Sequence, residues 1–349
     1  MMGRNLPGAA ALLAALIALI GVAAGAPMYK AELIITKPIA RYPSSHSSSV
    51  IELGNGDLLC SWFAGSQEAA KDVAVVHSRK AAGAEVWTKP AVLADDPTRP
   101  EGNSVLFHAP NGRIWLFYAT MYGHDEWDTC KVKCKWSDDK GQTWSEPVIL
   151  RDELGYLPRN HPIVLDNGDW LLPIYDERTW TSLMMISTDR GRTWFDSEEI
   201  VAPGHPGNIQ PTVVQLADGS LLALMRRGGP PPVLWASRSY DRGRTWSEPI
   251  NSSLPNPNAA AEMVRLANGH LVLAFNNVTH DRNLLTLAVS TDEGKTWPYK
   301  RDLENHDTGE FSYPSIIQAR DGAIHVTYTY NRVNIKHAAL NEEWIMAGE

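Results

Sequence analysis

Six times along the chain an apolar run breaks at an Asn-Gly or Asp-Gly pair and resumes as a second apolar run. The segments are IELGNGDLLCSW, HAPNGRIWLFY, VLDNGDWLLPIY, QLADGSLLALM, RLANGHLVLAF and QARDGAIHVTY. Such pairs suit the two-residue turn of a β-hairpin, because both central residues tolerate positive φ. The turn glycines are Gly56, Gly112, Gly168, Gly219, Gly269 and Gly322, recurring at intervals of 50 to 56 residues.

A second pattern runs in step with the first. SDDKGQTW at Ser137, STDRGRTW at Ser187, SYDRGRTW at Ser239 and STDEGKTW at Ser290 all fit S-x-D-x-G-x-T-W, with starts 50, 52 and 51 residues apart. A worn copy, SRKAAGAEVWTKP, begins at Ser78. Each hairpin followed by a further strand and this motif makes a four-stranded unit, and six such units predict an all-β, six-bladed β-propeller of antiparallel blades. The last unit holds only three strands of its own. The stretch YKAELIIT, Tyr29 to Thr36, is the expected fourth strand that closes the ring.

The motif pairs a carboxylate with an aromatic ring, which on its own resembles sugar-processing chemistry. Its repetition points to scaffold instead. The aspartates Asp139, Asp189, Asp241 and Asp292 can accept backbone N–H groups within their own turns, and the glycine permits a left-handed residue. The tryptophan can then be buried between neighbouring sheets.

Composition narrows the function. A net charge of −8 and a pI near 5.8 argue against a nucleic-acid footprint. Arg4 followed by AALLAALIALIGVAA and the small residues Ala24 to Ala26 reads as an export signal over residues 1–26, with an uncleaved membrane anchor as the alternative, and either way 27–349 is expected as one propeller domain outside the cytoplasm. The three cysteines exclude a disulfide framework. Cys130 and Cys134 lie in an alternating stretch that would hold them about 13 Å apart, so they read as buried thiols. No metal-ligand spacing accompanies them, and no cofactor is expected.

The S-x-D-x-G-x-T-W motifs resemble the Asp boxes of sialidases, and their number and spacing resemble the six-bladed sialidase propeller. The resemblance covers most of residues 41 to 340. It implies an anionic sugar held by arginines, a tyrosine nucleophile assisted by a glutamate, and an aspartate as acid/base. Counting from the hairpin glycines, Arg226 in DGSLLALMRRGG and Arg282 in NNVTHDRNLLTL match two of the family's arginines, and Tyr313 in FSYPSIIQARDG matches its nucleophile.

Three positions depart from the family. His46 or Ser47 stands where the first-blade arginine is expected, Arg41 lying some five residues too early. Gln210 replaces the nucleophile's glutamate, and Thr329 replaces the glutamate that supports the first arginine. A glutamine orients a phenol but does not take its proton at neutral pH. Arg159 is the candidate for a third cation, and His161 or His46 for a base near neutral pH. In the first-blade loop Asp72 is the candidate acid, with Glu68 its rival. Asp176 and Glu177 read as solvated loop residues, and Trp127 as a ring on which a sugar stacks. The expected activity is therefore that of a secreted, sialidase-like glycosidase acting on an acidic sugar. The alternatives are a uronate lyase using His161 with Tyr313, and a carbohydrate-binding propeller without catalysis.

Overall fold

The computed structural model describes residues 25–36, 39–123, 126–204 and 207–348, so the export signal read over 1–26 falls almost wholly outside the described residues. Six antiparallel sheets follow one another around a central channel. The strands nearest the channel are Ser44–Glu52, Glu101–His108, the pair Tyr156–Pro158 and Ile163–Val164, Asn208–Gln215, Glu262–Arg265 and Phe311–Gln318. The third blade's inner strand is in two pieces because Pro158 and Pro162 have no N–H to give to the ladder. Ring closure is as expected: Tyr29–Leu33 pairs antiparallel with Asn334–Leu340 and completes the sixth blade.

Packing between blades is repetitive. Most of the apolar clusters span two neighbouring blades, such as Leu59 and Val75 of the first with Leu106 and Leu116 of the second. The motif tryptophans Trp144, Trp194, Trp246 and Trp297 pack into four of these clusters. In each motif the aspartate accepts the threonine hydroxyl and backbone N–H. Asp189, for example, binds Arg192 N at 3.0 Å, Thr193 N at 2.9 Å and Thr193 Oγ1 at 2.6 Å, while Ser187 Oγ accepts from Gly191 N at 2.7 Å. Two left-handed residues in succession make this turn, Arg190 and Gly191 in this copy. At Gly243 a Cβ would also fall 2.6 Å from Leu171 Cδ2 of the preceding blade, so the glycine serves close packing as well as the turn. All three cysteines are free and buried.

A second repetition lines the channel. Seven residues before each turn glycine stand Ser49, Val105, His161, Thr212, Glu262 and Ser315. Four of them accept a backbone N–H from the next blade: Ser49 from Leu106 at 3.0 Å, Thr212 from Met263 at 2.9 Å, Glu262 from Ile316 at 2.9 Å and Ser315 from Val50 at 3.0 Å. An inner strand has no neighbouring strand on its channel side, so these side chains satisfy N–H groups that would otherwise each cost about 1–3 kcal/mol. His161 spans the channel instead, with Nδ1 2.9 Å from Glu262 Oε1 and Nε2 3.1 Å from Ser49 Oγ. His161 and Glu262 of this bar line a cavity of about 590 Å³ whose walls include Ile51, Phe107 and Ile317.

Candidate active site

Two residues above that ring, nine before each turn glycine, the six blades place Ser47, Asn103, Arg159, Gln210, Ala260 and Tyr313. Four of the inner strands bulge there, with register shifts at His46/Ser49, Gly102/Val105, Ile209/Thr212 and Ser312/Ser315. The bulged residues are left-handed: Ser47 has φ 59°, Asn103 44°, Gln210 56° and Tyr313 51°. Non-glycine residues at such φ are strained, and bulges re-aim side chains. Here the bulges gather unlike side chains at the mouth opposite the hairpin turns.

Tyr313 is the centre of the resulting network. Its Oη accepts from Arg226 Nη1 at 2.8 Å and from Gln210 Nε2 at 3.4 Å, while Gln210 Oε1 accepts from Arg226 Nη1 at 3.2 Å. Tyr175 Oη accepts from Asn103 Nδ2 at 2.9 Å and lies 3.5 Å from Gln210 Nε2. Burial pushes the Tyr313 phenol up. The guanidinium groups of Arg226 and Arg282 and the Gln210 amide outweigh it, and hold the phenol below the usual tyrosine range.

Arg282 is fixed by backbone as well as side chain. Its carbonyl accepts from Phe311 N at 2.7 Å, two residues before Tyr313. Its guanidinium lies 5.4 Å from the centre of the Tyr313 ring. Asn258, itself left-handed at φ 58°, joins the two arginines: its Oδ1 accepts from Arg226 Nε at 2.6 Å and its carbonyl from Arg282 Nη2 at 2.8 Å. The structure brings Arg226, Arg282, Gln210 and Tyr313 together. Arg227 points the other way, onto the Trp235 ring at 3.9 Å.

Three expected positions are corrected. Arg159 is only 2% exposed and lies beneath the Tyr313 ring, 5.1 Å from its centre, so it does not face a ligand. His46 is buried against the same ring at 4.3 Å, with Nδ1 2.9 Å from Thr329 Oγ1. Burial and the charges of Arg332 and Arg282 hold it well below its ordinary value, so it is neutral and is no base in the neutral range. His161 belongs to the channel bar, because both ring nitrogens are engaged there.

The third cation is Arg332, which directly follows the stretch VTYTYN. It belongs to a tight sixth-blade turn in which Asn331 and Arg332 are both left-handed. Its carbonyl accepts from Ser45 N at 2.7 Å, which sets it beside the place where a first-blade arginine was expected. Arg332 Nε binds Glu310 Oε2 at 2.6 Å and its Nη1 pairs with Glu68. Glu310 Oε1 also accepts from Arg282 Nη1 at 3.1 Å, so one carboxylate joins two of the three arginines. Thr329 serves the backbone instead, accepting from Ser47 N at 3.1 Å. The sequence signal was present but displaced: the arginine sits in the sixth blade's turn rather than on the first blade's inner strand.

The carboxyls at the mouth differ in setting. Asp72 is exposed, and among the described residues its hydrogen-bond partner is Ser66, through both N and Oγ. Among the described residues it makes no hydrogen bond or salt bridge to the Tyr313 network. Asp176 is buried and paired with Arg178 at 2.6 Å. Glu177 is half-buried rather than solvated. Burial pushes its carboxyl up to about 7, against the pull of Arg226 and with the added push of Asp128, Asp176 and Glu68. Trp180 stands in the same turn, its ring 5.7 Å from the Arg226 guanidinium. Trp127 lies against Phe63 at 5.9 Å and over Gly102, where a Cβ would meet its ring at 2.6 Å.

A family model described as a BNR repeat-like domain matches residues 56–326. Among curated proteins, a sialidase of Micromonospora viridifaciens is 23% identical over 92% of this chain and 55% of its own length. The chain spans about half the length of the curated relatives it matches. Among solved structures, the intramolecular trans-sialidase of Ruminococcus gnavus superposes with a TM-score of 0.77 at 14% identity, over 91% of this chain and 99% of its own. An α-L-arabinanase of Penicillium chrysogenum gives 0.64 at 16% identity, over 90% and 98%. At these identities the superpositions establish the fold, which unrelated activities share.

Proposed function

Since this chain is a divergent, sialidase-like member of the BNR repeat-like family, we propose that it is a glycoside hydrolase that removes a terminal acidic sugar, with Tyr313 as nucleophile. The observation that carries this reading is the 2.8 Å hydrogen bond from Arg226 to the Tyr313 oxygen, with Arg282 and Arg332 joined beside it through Glu310. Guanidinium groups suit a substrate carboxylate because their planar forks bind it in bidentate fashion.

In the first step the Tyr313 oxygen, its phenol proton already lost to solvent, bonds to the anomeric carbon, and the glycosidic C–O bond breaks with its electron pair on the leaving oxygen. Glu177 gives that oxygen its proton. It is the mouth carboxyl whose burial keeps it protonated near neutral pH, whereas Asp72 is exposed and bound to Ser66. In the second step the Glu177 carboxylate takes a proton from water, the water oxygen bonds to the anomeric carbon, and the Tyr313 oxygen is released. Export of the protein accords with the residue 1–26 signal and a glycoconjugate substrate. A lyase pairing His161 with Tyr313 lacks support, because His161 is bound to Glu262 and Ser49.

The test is turnover of a fluorogenic sialoside, and of the matching uronide, by wild type and Tyr313→Phe. Wild type is expected to release the fluorophore, and the variant to lose at least about 10³-fold in kcat. Turnover that survives Tyr313→Phe removes the mechanism. Binding without turnover of either substrate makes the protein a carbohydrate-binding propeller.

A further inference from the structure

The nucleophile has a glutamine where a proton-accepting carboxylate would be expected, so another feature must prepare its oxygen. Beneath the ring lies Arg159, a cation at 2% exposure. Its Nη2 donates to Pro314 O at 2.9 Å, and its buried Nε has no partner. Arg159 has no carboxylate in salt-bridge contact among the described residues, and a buried charge without one is costly. The carboxylate whose field acts on it most is Glu262 of the fifth blade, which is tied to His161 and to Ile316 N. After Glu262, Tyr313 is the group whose field acts on Arg159 most.

Resting on the reading of Tyr313 as nucleophile, we propose that Arg159 is a positioning residue that lets Tyr313 react as a phenolate, replacing a carboxylate base with a buried positive charge. The phenol proton then goes to solvent before substrate binds, and Gln210 orients the oxygen without accepting a proton. The Tyr313 phenol is held below its usual range first by Arg226 and Arg282 and by the Gln210 amide, and the link to Arg159 is the 5.1 Å approach of its guanidinium to the ring, with Tyr313 among the groups that support the Arg159 charge. Other charged groups act on the phenol from every side: Arg226 and Arg282 from the fourth and fifth blades, and Glu68 from the first. His46, packed on the ring, is neutral, and Tyr175 adds a neutral hydroxyl beside Gln210. Arg159 differs from the two mouth arginines in being sealed from ligand, so its charge remains on Tyr313 when a substrate carboxylate occupies Arg226 and Arg282.

Arg159 also holds Pro314 O and hence the left-handed backbone of Tyr313, so its electrostatic and mechanical roles must be separated. Arg159→Gln keeps a donor for Pro314 O and loses the charge, whereas Arg159→Lys keeps the charge and loses the fork. The readout is tyrosinate absorption against pH, with the Tyr313 signal taken as the difference between each protein and its Tyr313→Phe counterpart. No substrate is needed, so failure here is distinct from failure of the glycosidase reading. In wild type the Tyr313 signal is expected to precede the bulk tyrosines. In Arg159→Gln it is expected to move up by about 1–3 pH units, and in Arg159→Lys by less. Where sialoside is turned over, the acid limb of kcat/KM should move the same way, with about 10-fold or more lost at neutral pH. A wild-type Tyr313 that titrates with the bulk overturns the proposal, whether or not the variants fold. So does a folded Arg159→Gln whose Tyr313 titrates as in wild type.

Discussion

The two ends of the propeller follow opposite rules. At the hairpin end, four blades carry the same serine, aspartate, glycine, threonine and tryptophan with near-identical bonds: the threonine hydroxyl meets the aspartate at 2.5 Å in the Asp139 copy and at 2.6 Å in the other three. At the mouth, the six equivalent positions hold Ser47, Asn103, Arg159, Gln210, Ala260 and Tyr313, no two alike. Inter-blade packing is a need that every blade shares, and repetition meets it. A binding site on the ring axis has no sixfold symmetry, so each blade must supply something different. Loss of one copy should therefore be tolerated at the hairpin end, and loss of one residue should not be tolerated at the mouth.

Arg332 gives that contrast its strongest test. It stands in no repeat register, yet it is bonded to Glu310 and Glu68 and shares Glu310 with Arg282. Arg332→Ala removes one cation, leaves Glu68 without its partner and leaves Glu310 with Arg282 alone, a loss of the kind that costs about 2–5 kcal/mol in recognition of a charged group. With an acidic sugar, kcat/KM is expected to fall by about 10²-fold or more, mainly through KM. An unchanged KM in steady-state kinetics would show that the clamp has only two members.

Glu177→Gln comes next in size. General acid catalysis is worth about 10²–10⁴-fold, and the loss should be large for a poor leaving group and small for an activated aryl one. Wild-type activity requires the protonated carboxyl, which burial holds up to about 7, so the rate should fall as pH rises through that value. Glu177→Gln should abolish this alkaline limb. If Asp72→Asn does so instead, the acid lies on the first-blade loop and Glu177 only shapes the mouth.

What could be read in advance follows the same division. Six Asn-Gly or Asp-Gly hairpins and four motif copies give the blade count and ring closure, because each copy confirms the others. Arg226, Gln210 and Tyr313 were legible because they lie on strands at fixed distances from a turn glycine, and Arg282 because it stands two residues before the strand Leu284–Ser290. Arg332 was not, since it sits in a left-handed turn where no strand register applies. Arg159, His161 and His46 face inward: His46 adjoins a bulge of the first blade, and Arg159 and His161 lie where the third blade's inner strand is broken, features that the hairpin spacing does not mark. Glu177 was read as solvated because burial in a four-residue turn depends on the loops around it.

The smallest expected effect is at the hairpin end. Asp189 and Asp292 are held down to about 2, chiefly by the threonine hydroxyl and then by the backbone N–H of the same residue. Their folded values lie below the ordinary value of about 4. The stabilisation is therefore complete above about 4 and fades as pH falls toward 2. Both carboxylates face water, which screens the gain. Thr193→Val removes one hydroxyl without changing shape, and should lower Tm by a few degrees at neutral pH and by less near pH 2. Calorimetry across that range reads the convergence, and kcat at neutral pH should not move. Thr245→Val and Thr296→Val should behave alike, since their boxes carry the same bond at the same 2.6 Å. A box variant that changed kcat while Tm held steady would mean that the two ends are coupled through the blades, and the separation of scaffold from site would fail at that blade.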